Sequence, residues 1–331
     1  MKSLHIVQVI SNFPNAQKLP PTNQGGTEKV VHELTENLVQ RGHRVTVFAP
    51  RGSRTSAKLI PFPEGLRDGG IASYVLSKMP RDVDVIHDHT FSSALGRSKH
   101  NFPTVCTLHL PVKQLVKHPV YVSKRARKVM GNNRGYYVYN GLNPSEYEFS
   151  DKKRSFMLFM GRILREKGVM LAIEIAERTN KKLIIAGPIK DKAFFRNEVA
   201  PRIRRSPHIH FVGPIGGKNK QTLLKYASCL LFPTLWEEPF GLVMIEAMAC
   251  GTPVIALKHG AVPEVMAGFP QLICRSVSEM VAKVKEGNYP HPAELRRYVI
   301  RRFTTFQMTT NYLKIYQKAM KNNLQQPARI P

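Results

Sequence analysis

The strongest constraint on how this chain can fold is one alternation that runs twice along its length. LHIVQVI, residues 4–10, is an apolar run of strand length, and TEKVVHELTENLVQRGH after it has apolar residues at helical spacing. RVTVFA is a second strand whose twofold alternation is only partial, as in a strand covered on both faces. DVDVIHDH and TVCTLHL repeat the pattern across helical or irregular connections, and GYYVYNGL closes the series. SFMLFMG, residues 155–161, restarts it. Helix GVMLAIEIAERTN, strand KKLIIAG, helix KAFFRNEVAPRI, strand HIHFVG, helix KQTLLKYAS, strand CLLFPT, helix FGLVMIEAMACG and strand TPVIAL then follow in order. Strands alternating with helices build parallel sheets through right-handed crossovers. Two such series, divided by NPSEYEFSDKKR, predict an α/β chain of two doubly wound, Rossmann-like domains facing a cleft. The expected boundaries are 1–150, 151–305, and 306–331 for a closing helix and tail, the segment from ELRRYVIRRF onward being helical in pattern.

A length of 331 residues suits two domains with a core each. No apolar run reaches the roughly 18 residues that span a bilayer. MKSLHIVQVIS also lacks the long apolar stretch and small residues of a secretory leader, so a cytoplasmic protein is expected. The cysteines, Cys106, Cys229, Cys250 and Cys274, are far apart in apolar surroundings with no CxxC, which predicts buried thiols instead of a disulfide framework. Fifty basic against 23 acidic side chains give +27, a charge that attracts phosphates, nucleic acid or anionic lipid headgroups.

Parallel sheets bind ligands at the carboxyl ends of their strands, where crossover helices begin with unpaired N–H groups. Four loops fall there. NQGGTEK, residues 23–29, has Gly25 and Gly26 before a helix, although a GG pair is often only a turn. GRILREKG, residues 161–168, has Arg162 and Lys167 at a helix start, suited to a diphosphate and equally to a solvated basic turn. In WEEPFGLVMIEAMACG, Pro239 belongs in a first turn. The helix should therefore begin near Phe240 and Gly241, with the amides of Gly241, Leu242 and Val243 facing an anion. Glu238 stands just before that helix and Glu246 about two turns inside it, among apolar residues. A carboxylate there needs donors, which a vicinal diol would supply. In IHDHT, His87 and His89 share a strand face. A contact from one of them to a ligand hydroxyl is preferred over a metal pair with His109, since no carboxylate or cysteine completes a usual ligand set.

With these residues in place, the chain resembles the retaining glycosyltransferases of family 4, whose two-domain fold is called GT-B. The resemblance is carried by GGTEKVVHELTENLVQRGHRVTVFAP, VIHDH, YNGL, FMGRILREKG, IIAGP, HFVGPI and EEPFGLVMIEAMACGTPVIALKHGAVPEV, the last holding the Glu, seven residues, Glu signature. It implies a sugar moved from a nucleoside-diphosphate sugar, a UDP-sugar first among them, to an acceptor hydroxyl with retention at the anomeric carbon. Arg162 and Lys167 would hold the diphosphate, helped by the amides of Gly241, Leu242 and Val243 beside Phe240. Glu246 would bind the ribose and Glu238 the transferred sugar. Gly26 would approach the phosphates, His89 would hydrogen-bond the sugar, the loop at Pro214 and Ile215 would line the base, and Gly25 and Gly187 would be further donor-binding residues. The closing helix would cross back to the first domain.

Stabilising the leaving group with cations and amides requires no metal or other cofactor beyond the sugar nucleotide. The DVD at Asp82–Asp84 precedes its strand core and is a poor metal site. The first half is short for the family after TLHLP, which would leave an open cleft for a large acceptor or part of one shared with a partner. AGFPQLIC lacks a glycine-rich loop, and Ala261 stands where many relatives have Gly. Residues 91–134 carry Arg97, Lys99, Lys113, Lys117, Lys124, Arg125, Arg127, Lys128 and Arg134 and no acid. That suits a large, anionic or membrane-associated acceptor and peripheral placement at the inner membrane surface, or simply solubility. The rival readings are another GT-B enzyme, a phosphorylase or sugar-nucleotide epimerase, and a basic nucleic-acid-binding protein. A phosphorylase would need a recognisable cofactor-lysine segment, which is absent, and a nucleic-acid binder would need basic strands interleaved with aromatics.

Overall fold

The structure is a computed structural model that describes residues 2–14, 16–22, 25–110, 112 and 115–324. Asn23 and Gln24 of the first glycine loop, Lys113 of the basic stretch and the tail 325–331 lie outside the described residues. The chain forms two compact units, one of residues 1–142 with 305–331 and the other of residues 143–304.

The first unit is a seven-stranded sheet in the order β3-β2-β1-β4-β5-β6-β7. Its strands are β1 (His5–Val9), β2 (Arg44–Ala49), β3 (Lys58–Pro61), β4 (Val85–Asp88), β5 (Thr104–Leu108), β6 (Pro119–Tyr121) and β7 (Tyr136–Tyr137). All neighbours pair in parallel. Every residue of β1 is buried, which is why its alternation is weak: both faces are covered. Helices α1 (Gly26–Gln40), α2 (Asp68–Ser77) and α3 (Lys124–Gly131) connect the strands. One core joins Val7, Val9, Phe48 and Ile86 to Ile71 and Val75 of α2. Helix α3 begins where the Ser123 side chain accepts from the Ala126 amide and ends at Asn132 in the left-handed region.

The second unit is a six-stranded sheet in the order β10-β9-β8-β11-β12-β13. Its strands are β8 (Phe156–Met160), β9 (Lys182–Ala186), β10 (Ile209–Phe211), β11 (Cys229–Phe232), β12 (Val254–Leu257) and β13 (Ile273–Cys274). The helices are α4 (Val169–Thr179), α5 (Lys192–Phe194) and α6 (Ala200–Arg205) joined by a π-helical turn, α7 (Gly217–Tyr226), α8 (Leu242–Ala249), α9 (Val262–Val265), α10 (Val277–Glu286) and α11 (Pro292–Arg302). Met157, Phe159, Leu183, Ile185, Leu231 and Ile255 form its core with Val169, Ile173 and Ala176 of α4.

The closing segment is two helices. After α11 the backbone leaves helical geometry at Phe303, and α12 (Thr305–Leu324) follows. Phe303 is buried against Phe240 and Tyr298, so its side chain anchors the break in the second unit. Thr305 donates its amide to the Leu142 carbonyl and its hydroxyl to Glu33, which starts α12 in the first unit. The division ahead of residue 150 has an equally local cause. Arg296 of α11 donates to the carbonyls of Pro144, Tyr147 and Ala249, holding 144–147 to the second unit.

Candidate active site

In the second unit three glycines lie side by side at the ends of β8, β9 and β10. Gly161 donates its amide to the Ala186 carbonyl, and Gly187 donates to the Gly213 carbonyl. Gly187 has φ +151°, and a Cβ there would fall 1.7 Å from the Gly161 oxygen, so only glycine fits. Pro214 follows, exposed, and Ile215, half-buried.

The loop after β8 is sewn to the loop after β11. The Glu166 carbonyl accepts from the amides of Leu235 and Trp236 at 2.8 and 3.1 Å. Gly168 sits at φ +77° where a Cβ would lie 1.9 Å from the Pro233 oxygen. This stitching carries Lys167 to Glu238, with Nζ 2.5 Å from Oε2, and sets the ammonium 6.0 Å from the centre of the Trp236 ring. Arg165 turns away to Glu198 and Phe194. Arg162 is exposed, with no hydrogen bond or ion pair among the described residues.

Glu238 is held by its backbone. Its amide donates to the Trp236 carbonyl, and its carbonyl accepts from Ala261. Gly260, at φ +53°, leaves room for it, since a Cβ there would meet the Glu238 amide and carbonyl at 2.4 Å. Helix α8 then starts at Leu242 from a left-handed Gly241, so the first-turn amides at Leu242 and Val243 lie just beyond Glu238. Phe240 is buried.

Glu246 is 6% exposed and has protein donors: Tyr147 donates its hydroxyl at 2.9 Å and Lys220 of α7 its ammonium at 2.7 Å, both to Oε1. The need for donors was readable in the apolar helix; Tyr147 and Lys220 were not, because neither is near Glu246 in sequence.

In the first unit β4 brings His87 and His89 to one face, their rings 3.8 Å apart. His87 is bonded to Tyr316 of α12 through Nδ1 and to Thr107 of β5 through Nε2, each at 2.7 Å, and Thr107 to Tyr312 at 3.0 Å. His89 Nδ1 lies 3.2 Å from His109 Nε2, while its own buried Nε2 has no partner among the described residues. Burial, with the neighbouring histidines, holds His89 well below the ordinary histidine range, and burial lowers His109 to about 4. All three are neutral near pH 7, and the unpartnered His89 ring nitrogen is enclosed by the protein. Among the described residues no group of three or more His, Cys, Asp or Glu is placed to hold a metal ion. Asp82 pairs with His5 and Arg44, and Asp84 accepts from the His5 amide. Gly25, at φ +135°, precedes α1, whose first residue is Gly26; Glu28 accepts from the Gln17 amide and packs against Gly25.

Two doubly wound parallel sheets, each followed by helices that begin at the strands' carboxyl ends, are the two-domain α/β architecture expected from the sequence. Residues 24–143 match Glycosyltransferase Family 4 and residues 145–283 match Glycosyl transferases group 1. The chain is a glycosyltransferase and belongs to the family 4 type. Among its relatives, an uncharacterized glycosyltransferase of Methanocaldococcus jannaschii, MJ1607, is 32% identical over 39% of this chain, which spans only 37% of that relative's length. The phosphatidyl-myo-inositol mannosyltransferase of Mycolicibacterium smegmatis is 25% identical over 73% of this chain and 75% of its own. Among solved structures, AviGT4, a glycosyltransferase involved in avilamycin A biosynthesis, superposes with TM-score 0.81 at 23% identity over 96% of this chain and 98% of its own. Anabaena HepE in complex with UDP and glucose superposes with TM-score 0.75 at 14% identity over 95% and 100%. These likenesses match the GT-B fold expected from the sequence.

Proposed function

We propose that this glycosyltransferase moves a sugar from a nucleoside-diphosphate sugar, UDP-linked, to an acceptor hydroxyl with retention at the anomeric carbon. The observation that carries the reading is the joined loop pair that sets Lys167 beside Glu238 at the start of α8. Arg162, Lys167 and the amides of Gly241, Leu242 and Val243 neutralise the leaving diphosphate, where charge grows in the transition state. Glu238 orients the transferred sugar, His89 donates to or accepts from one of its hydroxyls, and Glu246 takes the ribose. Gly25 and Gly26 give the phosphates close backbone approach, and Gly187, Pro214 and Ile215 line the base. The UDP assignment is supported by the HepE complex named above. The test is a thermal-shift panel of UDP, GDP and ADP with their common sugars, followed by release of the nucleotide on adding acceptor. Stabilisation by UDP and acceptor-dependent UDP release are expected; stabilisation by GDP alone would replace the base, and release without acceptor would point to an epimerase or hydrolase.

For the acceptor the reading is an anionic, membrane-associated molecule met by a peripheral enzyme. It is supported by the acid-free stretch 91–134 and by the phosphatidylinositol named in the mannosyltransferase relative. No helix among the described residues is long and apolar enough to cross a membrane.

A further inference from the structure

We infer that the β7 edge of the first unit, flanked by α3 and α12, is a docking surface for a bilayer that carries anionic headgroups. From His89 to Ser145, and again throughout α12, the chain has no aspartate or glutamate. Those segments build β5, β6, β7, α3 and α12, so one side of this unit is assembled without a carboxylate of its own. β7 ends the sheet, and its two residues, Tyr136 and Tyr137, point to opposite faces. Lys124 and Arg127 of α3 lie over the Tyr137 ring at 5.6 and 5.3 Å, and Tyr139 packs beside it. Lys318 of α12 lies over the Tyr136 ring at 5.3 Å. Lys128 and Arg134 on the α3 side and Lys314 and Lys321 on α12 are exposed, and Val129 of α3 is 51% exposed.

Cations alone would fit any polyanion; the tyrosines and Val129 decide between the classes. Single-stranded nucleic acid is gripped by bases stacking on open aromatic faces. Here Lys318 lies over the Tyr136 ring and Lys124 and Arg127 over the Tyr137 ring, so both half-buried rings are already engaged by the protein's own cations. Beside these half-buried tyrosines stand the exposed lysines and arginine and the exposed Val129. That combination matches the headgroup level of a bilayer, where tyrosines sit among phosphates and lysines keep their heads in the anionic layer. The inference rests on the membrane part of the proposed function and not on the transfer chemistry, so binding tests it without turnover.

The experiment is co-sedimentation of the full chain with phosphatidylcholine vesicles and with the same vesicles containing phosphatidylglycerol, at low and high salt. Binding is expected only to the anionic vesicles and only at low salt. Two paired variants, Lys128→Gln with Arg134→Gln and Lys318→Gln with Lys321→Gln, should each lower the partition coefficient about thirtyfold, as expected for two surface cations. A control pair in the second unit, Lys192→Gln with Arg204→Gln, should leave it unchanged. Unaltered melting and unaltered UDP stabilisation confirm that the variants are folded. Equal loss in the control pair, binding to pure phosphatidylcholine, or loss of single-stranded oligonucleotide binding in place of vesicle binding would each overturn the inference. Sugar transfer persisting alongside any of these would leave the proposed function standing.

Discussion

Lys167 and Glu238 neutralise each other across two loops that share no sequence neighbourhood, their side chains 13% and 16% exposed. The ion pair is possible because the Glu166 carbonyl holds the Leu235 and Trp236 amides, and because glycine at 260 lets the next loop press on the Glu238 backbone. A pair this enclosed keeps the lysine's charge satisfied until a stronger anion arrives, and a diphosphate with paired oxygens is such an anion.

That exchange predicts a split between binding and turnover. In Glu238→Gln the competing carboxylate is gone, so UDP should bind at least as tightly as in the parent while kcat falls about a hundredfold. Arg162→Ala should instead lose both, because the exposed guanidinium has no partner among the described residues to mask its absence. Calorimetric UDP titration and steady-state transfer read the two effects separately. A Glu238→Gln enzyme with near-parental kcat would remove this residue from the site.

Glu246 makes a second case. With Tyr147 and Lys220 both on Oε1, it is a tie across the second unit as well as a candidate ribose ligand. Tyr147→Phe removes one donor and leaves the lysine, so it should cost about 1 kcal/mol in urea unfolding and change UDP affinity less than threefold. Glu246→Gln should keep the fold and weaken UDP by roughly tenfold, the loss of a charged hydrogen-bond acceptor. If both variants lowered stability and neither lowered affinity, the carboxylate would be structural alone.

The glycines at strand ends give a purely geometric prediction. Gly187→Ala must place a Cβ within 1.7 Å of the Gly161 oxygen, and Gly168→Ala within 1.9 Å of the Pro233 oxygen, both at positive φ. Each should destabilise the second unit by at least about 3 kcal/mol, since the contact is backbone and cannot rotate away. Gly217→Ala, also at positive φ but with nothing within 4 Å, should cost about 1 kcal/mol and serves as the reference. Similar urea midpoints for all three would mean that the close approach is not what these positions require.

These cases also show what could be read from the residues. The alternation of LHIVQVI, RVTVFA, SFMLFMG and TPVIAL with helical segments was enough for two parallel sheets, because buried strands and amphipathic helices have different periods. Two short strands escaped: β3, KLIP, is at most half-buried and carries no apolar run, and β6, PVY, is three residues beginning at a proline. The single closing helix was read through Phe303, an apolar residue that fits a helix face and gives no local sign of a break. At the site, residue types that are expensive in their setting were visible, Glu246 in an apolar helix and Glu238 before a proline. Their partners were not, because Lys167, Lys220 and Tyr147 come to them by tertiary folding, and no pattern along the chain encodes that. Likewise His89 and His109 were visible at their strand ends, brought together because β5 pairs with β4, but the Tyr316–His87–Thr107–Tyr312 chain depends on where α12 packs.

Acidification tests that buried histidine cluster. Burial is the main cause that lowers His87, His89 and His109 below the ordinary value of 6.5, His109 to about 4. In the unfolded chain each titrates near 6.5. Below that pH the unfolded state takes up protons that the folded state refuses, so their contribution to stability is complete above about pH 6.5 and declines as pH falls. For His109 the decline runs from about 6.5 to about 4 and amounts to roughly 3 kcal/mol, and His87 and His89 deepen it. Buried Asp88 and Glu28, both raised by burial, act in the opposite sense at the acid end and soften the total. The measurement is urea unfolding at steps from pH 7.5 to 4.5, with His109→Asn alongside. The parent should lose stability steadily below pH 6.5, and the variant, which has no proton to gain there, should show a slope shallower by up to one proton. Parallel slopes in the two proteins would show that His109 takes up its proton as readily in the folded as in the unfolded state, so that burial does not hold it neutral.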